Sequence, residues 1–246
     1  MMARSLLWQP PTSFRQVCLF TARIPLSSQL HASTPKLYST SSMPKRTHRE
    51  IEIKLRVADL PSLLRRLRRL AIQSRGRTLE QNTLYDTPSS HVRRCGRLLR
   101  LRRETPAPPG STIRRARHRT ILTSKAPPPA LRGQSPRPRY KERLERELVV
   151  HNPGLWPRLL RSLGLRPAFR YEKYRTTFKL PGLHLDLDET PAGVFLELEG
   201  TPRAIDRAAR SLGFTPRDYL RSTYWDVYAA DCRRHGRTPR NMLFPA

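Results

Sequence analysis

From residue 50 the chain alternates with a period of two. In "EIEIKLRV" (50–57), Ile51, Ile53, Leu55 and Val57 fall on one face of an extended strand, and Glu50, Glu52, Lys54 and Arg56 fall on the other. One strand of this kind is ordinary in a sheet with a single wet face. Here the device recurs. Arg100 and Arg102 alternate with Leu99 and Leu101, and Arg143, Glu145 and Glu147 alternate with Leu144 and Leu148. Lys173 and Arg175 alternate with Tyr174 and Thr176, Asp186 and Asp188 with Leu185 and Leu187, and Glu197 and Glu199 with Leu196 and Leu198. Solvated faces rarely repeat one pattern in so many strands.

The periodicity predicts further strands near 80–86 and 119–125, and sets the others near 97–103, 140–150, 170–180, 183–188 and 194–199. It predicts helices near 59–72, 152–163, 201–212 and 216–234. In the first, Asp59 is the N-cap and Leu60, Leu63, Leu64, Leu67 and Leu70 form an apolar stripe. Asn152 with Pro153, and Thr201 with Pro202, read as the same opening device, and Gly164 and Gly213 as stops. Two Pro-rich basic stretches, 104–117 and 126–139, read as excursions from the fold.

If these strands belong to one sheet, helices cover its aliphatic side and the charged side faces inward. The expected fold is therefore α+β: a closed antiparallel eight-stranded β tunnel with helices packed outside, wide enough in the lumen for one small ligand. The expected domain runs over 48–235, with an N-terminal extension at 1–47 and a tail at 236–246.

Composition narrows the chemistry. The net charge of +29 over 246 residues suggests a polyanionic partner, without choosing among nucleic acid, an acidic surface and a phosphate-rich small molecule. The three cysteines lack metal-ligand spacing and fit a reducing compartment. No run of about 18 apolar residues occurs, so no membrane partner is expected. Residues 1–49 hold no Asp or Glu and are rich in Ser, Thr and Pro. They read equally as an organelle transit peptide or as sequence upstream of a start at Met43, which sets a cytoplasmic location against an organellar alternative.

Buried charges need partners. A lumen with both carboxylate and cation clusters wants a ligand that satisfies both, and a metal-bound polyphosphate does so: carboxylates hold a hard divalent cation, while Arg and Lys take phosphate oxygens. At this point "EIEIKLRV" resembles the ExExK signature of the CYTH superfamily, the triphosphate tunnel metalloenzymes. "LYDTP" (84–88), "LRLR" (99–102), "LTSK" (122–125), "ERLERELVV" (142–150), "EKYRTTF" (172–178) and "LDETPAGVFLELEG" (187–200) follow in the family's order. "STYWDVY" (222–228) is similar, less closely, to its last helix. The best likeness is to the class IV adenylate cyclase-like branch.

The resemblance implies metal-binding carboxylates at Glu50, Glu52, Asp188, Glu197 and Glu199, with Mg2+ or Mn2+ as the ion. It implies triphosphate-binding cations at Lys54, Arg100, Arg102, Lys125, Lys173 and Arg175, with Lys54, Arg100 and Arg102 acting in catalysis. Glu145 matches a further acidic position whose role stays open. Asp186 reads as a supporting salt-bridge partner, His184 as polar lining, and Tyr219, Tyr224 and Trp225 as packing at the barrel end. The implied activity is either cyclisation of ATP to cyclic AMP and pyrophosphate or hydrolysis of an inorganic, thiamine or nucleoside triphosphate. The rival is a non-catalytic polyphosphate- or RNA-binding module, for which no nucleic-acid motif is found; nucleic acid is thus not the favoured partner. Monomer and homodimer stay open.

Overall fold

The alternation resolves into β1 (His48–Val57), β2 (Ser74–Asp86), β3 (Leu98–Pro106), β4 (Arg119–Ala126), β5 (Lys141–Val149), β6 (Arg166–Leu180), β7 (Leu183–Thr190) and β8 (Gly193–Gly200). The structure is a computed structural model that describes residues 47–70, 72–108, 118–129 and 139–245. Most of the expected N-terminal extension, and the middles of the two basic excursions, lie outside the described residues.

The strands form a closed antiparallel barrel in the order β1-β5-β4-β3-β2-β6-β7-β8. Closure is made by β1, which uses His48–Glu52 against β5 and Glu52–Val57 against β8. Glu52 is the one β1 residue in register with both neighbours, opposite Lys141 on β5 and Glu199 on β8.

The aliphatic face points outward, under helices. Ile53, Leu55, Leu185, Leu187, Leu196 and Leu198 pack against Leu63 and Leu67 of α1 (Leu60–Arg69) and against Ile205, Ala209 and Leu212 of α4 (Pro202–Ser211). Each such leucine or isoleucine contributes roughly 1.5–3 kcal/mol by leaving water. Both helices open as the sequence predicts. Asp59 accepts the amide of Ser62 at 2.9 Å, and Thr201 accepts that of Ala204 at 3.3 Å.

Elsewhere the structure differs from the pattern. Asn152 is not a cap: it takes a left-handed conformation (φ 53°), and α3 (Leu155–Ser162) starts after Gly154. The expected helix at 216–234 divides into a 3-10 turn at Pro216–Asp218 and α5 (Tyr224–Arg234). The break comes from Thr223 and Asp226, which cap each other reciprocally and start a new helix. A single turn, α2 (His91–Arg94), goes unseen in the pattern because it is held by one carboxylate; Asp86 accepts the amides of Val92 at 2.8 Å and Arg93 at 3.1 Å. The C-terminal stretch set apart as a tail packs on the barrel: Met242 is buried and exchanges backbone hydrogen bonds with β6 through Arg170 and Glu172.

Candidate functional site

Closing the barrel turns every charged face inward, around a cavity of about 450 Å³. Of the predicted site residues, Glu50, Glu52, Lys54, Arg100, Arg102, Lys125, Glu145, Lys173, Arg175, Glu197 and Glu199 all line it. Asp188 sits behind the wall, fully buried. The structure adds Glu80 from β2, Lys141 and Glu147 from β5, and Tyr224 from α5.

The clusters pair with one another. Lys125 Nζ donates to both oxygens of Glu50, at 2.6 and 2.7 Å, and lies 3.2 Å from Glu145. Lys54 lies 2.7 Å from Glu197, and Lys141 lies 2.5 Å from Glu52. Arg102 joins Glu147 and Glu104, each at 3.0 Å. Arg175 is a hub: it reaches Asp186 at 2.8 Å, both oxygens of Asp188, Glu80 at 3.7 Å and, in a very short contact, Glu197. Asp186 is thus an ion-pair partner of Arg175.

Asp188 is the predicted ligand least open to a metal. Its oxygens accept from Arg175, from Lys173 at 2.8 Å and from the Tyr224 hydroxyl, so in this arrangement it positions two cations. Tyr224 does more than pack at the barrel end, because its ring also lies 3.9 Å from Lys54 Nζ. His184 contacts Asp186 at 3.3 Å and is half-exposed, consistent with a place in the polar lining. Tyr219 lies away from the cavity lining, with its hydroxyl donating to Asp206 at 2.8 Å.

Electrostatics separate the carboxylates. Burial, with Glu52 and Glu145 nearby, pushes Glu50 up to about 7 against the pull of Lys125. Burial would raise Glu52 as well, but Lys141, aided by Lys125 and Lys54, outweighs it and holds Glu52 at about 2. Glu197 is likewise buried yet held well below the usual carboxylate range by Lys54, Lys173 and Arg175.

The lumen also changes along its length. Across the β2–β6 ladder the inward pairs run Thr78–Arg175, Glu80–Lys173, Asn82–Tyr171 and Leu84–Phe169, from charge to aromatic. At the aromatic end Phe169 stacks on Tyr171 at 5.5 Å and meets Trp225 edge-on at 5.0 Å, so these rings cover one another.

Among the described residues no three His, Cys, Asp or Glu side chains converge as a ready-made metal cage. The donor set nevertheless suits a hard divalent cation that keeps waters and shares substrate oxygens, since such an ion takes only one or two carboxylates from the protein. Glu52 and Glu199 are direct cross-strand partners, an unfavourable juxtaposition of like charges that a cation between them would relieve.

A family model described as the CYTH domain matches residues 48–216. Among solved structures, the PH1819 protein from Pyrococcus horikoshii OT3 is similar at 20% identity and a TM-score of 0.60, covering 74% of this chain and 99% of that one. A Vibrio parahaemolyticus protein, named as a candidate adenylate cyclase, is similar at 17% identity and a TM-score of 0.58, covering 74% and 98%. The PH1012 protein from Pyrococcus horikoshii OT3 follows at 23% identity and a TM-score of 0.54, covering 72% and 98%. No curated protein matches.

Proposed function

The chain belongs to the CYTH domain family, and we propose that it is a divalent-cation-dependent enzyme that hydrolyses a triphosphate inside its tunnel. The observation that carries this reading is the pairing of the lumen charges. Six motif cations line a small-molecule-sized space, and carboxylates of the same lumen meet their charge. A triphosphate with a divalent cation replaces both halves of those pairs at once, which neither a neutral ligand nor a bare anion can do.

Glu50, Glu52, Glu197 and Glu199 would offer Mg2+ or Mn2+ its one or two protein carboxylates, and the ion would supply charge neutralisation at the phosphoryl oxygens. Lys54, Arg100, Arg102, Lys125, Lys173 and Arg175 take the phosphate oxygens, with Asp188 and Tyr224 fixing the position of Lys173 and Arg175. Arg100 is the cation held most loosely. Its contacts to Tyr171 and Thr123 are both 3.4 Å and that to Glu147 is 3.8 Å, so it is free to follow charge developing in the transition state. Hydrolysis is preferred to cyclisation because it needs only the charged part of the tunnel, whereas cyclisation also needs a seat for a nucleobase, and Phe169, Tyr171 and Trp225 at the tunnel end are packed on one another.

The test is to incubate the full chain with ATP, thiamine triphosphate and inorganic triphosphate, with Mg2+ or Mn2+, and to follow phosphate, pyrophosphate and cyclic AMP. Metal-dependent phosphate release is the expected result. Cyclic AMP with pyrophosphate as the products would make cyclisation the reaction, and no turnover of any triphosphate would overturn the enzymatic reading.

A further inference from the structure

Lys141 carries none of the site roles that the family resemblance implies, yet it reaches into the candidate metal site. It comes from β5 at the barrel seam, directly opposite Glu52, and its ammonium lies 2.5 Å from Glu52 Oε1. Both side chains are largely buried, at 17% and 11% exposed, and both line the cavity. Among the described residues Lys141 makes no other side-chain hydrogen bond or ion pair, and Glu52 accepts from no other group. Glu52 meanwhile faces the like charge of Glu199 across the other side of the seam. Lys141 is the cation in direct contact with Glu52, while Glu199 has His48 at 3.1 Å.

We propose that Lys141 is a resident stand-in for the divalent cation and then a ligand of the substrate. Without metal it pairs with Glu52 and keeps that carboxylate aimed at the lumen. When Glu52 exchanges the ammonium for a cation, the lysine swings on its flexible four-carbon stem to a phosphate oxygen of the bound triphosphate. The two binding events are coupled in consequence. Metal frees a phosphate ligand, and phosphate in turn keeps Lys141 from competing for Glu52, so each tightens the other by the same factor. This inference rests on Glu52 being a metal ligand, as proposed above.

The experiment titrates MnCl2 calorimetrically into the metal-free full chain and into Lys141→Met and Lys141→Gln variants. Loss of the competing ammonium should tighten Mn2+ binding roughly tenfold, within the usual range of coupling between sites. The same variants should raise KM for inorganic triphosphate at saturating Mn2+ by more than they lower kcat, since the lost group binds substrate. Thermal melts with and without Mn2+ report folding. The stabilisation by Mn2+ should be larger in both variants than in the wild type, because their apo forms leave Glu52 unneutralised. Mn2+ affinity that is unchanged or weaker in both variants would overturn the role of Lys141 while leaving the metal site standing. A wild-type chain that binds no Mn2+ would overturn the metal site itself.

Discussion

The hydroxyl of Tyr224, on the last helix, donates to Asp188 at the centre of the barrel wall, and both groups are buried. Burial, with Asp188 and Glu197 close by, pushes the phenol far above its ordinary range, so it stays a donor at every pH the fold survives. Tyr224→Phe should destabilise the protein by about 1–3 kcal/mol, the range for leaving a buried charged acceptor short of one hydrogen bond. Urea unfolding with an unchanged m-value checks it.

Arg175 and Arg100 should separate structure from chemistry. Arg175→Ala strips four carboxylates of their common partner and should destabilise the barrel by about 3–5 kcal/mol, the cost of breaking a buried charge network. Arg100→Ala breaks only contacts of 3.4 Å or longer. It should melt near the wild type while kcat falls about 100-fold. Thermal unfolding and steady-state kinetics on the same preparations test the contrast, and equal destabilisation of the two variants would refute it.

Glu52→Gln and Glu199→Gln should each lower turnover by more than about 100-fold, because a lost ligand weakens metal binding more than the loss of an outer-shell partner does. Titration with Mn2+ should show the same loss. Full activity with unchanged metal dependence in both variants would remove the two residues from the metal site.

Glu50 supplies a pH signature. Its folded value, about 7, lies above its ordinary 4.5, so the metal-free fold holds this proton more tightly than the unfolded chain does. The resulting stability is fully present below pH 4.5 and is lost as pH rises through about 7. A divalent cation needs the carboxylate, so its affinity should climb with pH up to about 7 and then level off, with proton release on binding below that point. Calorimetry in buffers of different ionisation enthalpy measures the proton, and Glu50→Gln should abolish the slope.

Much of the site was legible because the contrast between charge and aliphatic in strands such as 50–57 and 194–199 permits one orientation only: a one-residue slip would bury the carboxylates under α1 and α4. Glu80 escaped for the opposite reason. In "LEQNTLYD" (79–86) polar residues stand on both faces, so period two carries no contrast, and only the register with Lys173 reveals that Glu80 points inward. Lys141 precedes the alternating charges of its strand and acquires meaning only from its partner on β1. The Thr223 and Asp226 spacing was a readable helix start, masked by the apolar pattern continuing around it. Burial of Met242 depends on where β6 ends up in space, which no local pattern encodes.

Because β1 pairs with β8, the barrel joins its first strand to its last. During synthesis the sheet must wait, open on two sides, until residues 193–200 have emerged, and such distant pairing is slow. The waiting rims are β1, which carries Glu50, Glu52 and Lys54, and β7, which carries Asp186 and Asp188. Inward-pointing charge on an exposed strand discourages a neighbouring chain from adding itself to the sheet. The charges that face into the finished barrel thereby guard the open sheet against aggregation, and substitutions that make the rims apolar should reduce soluble yield.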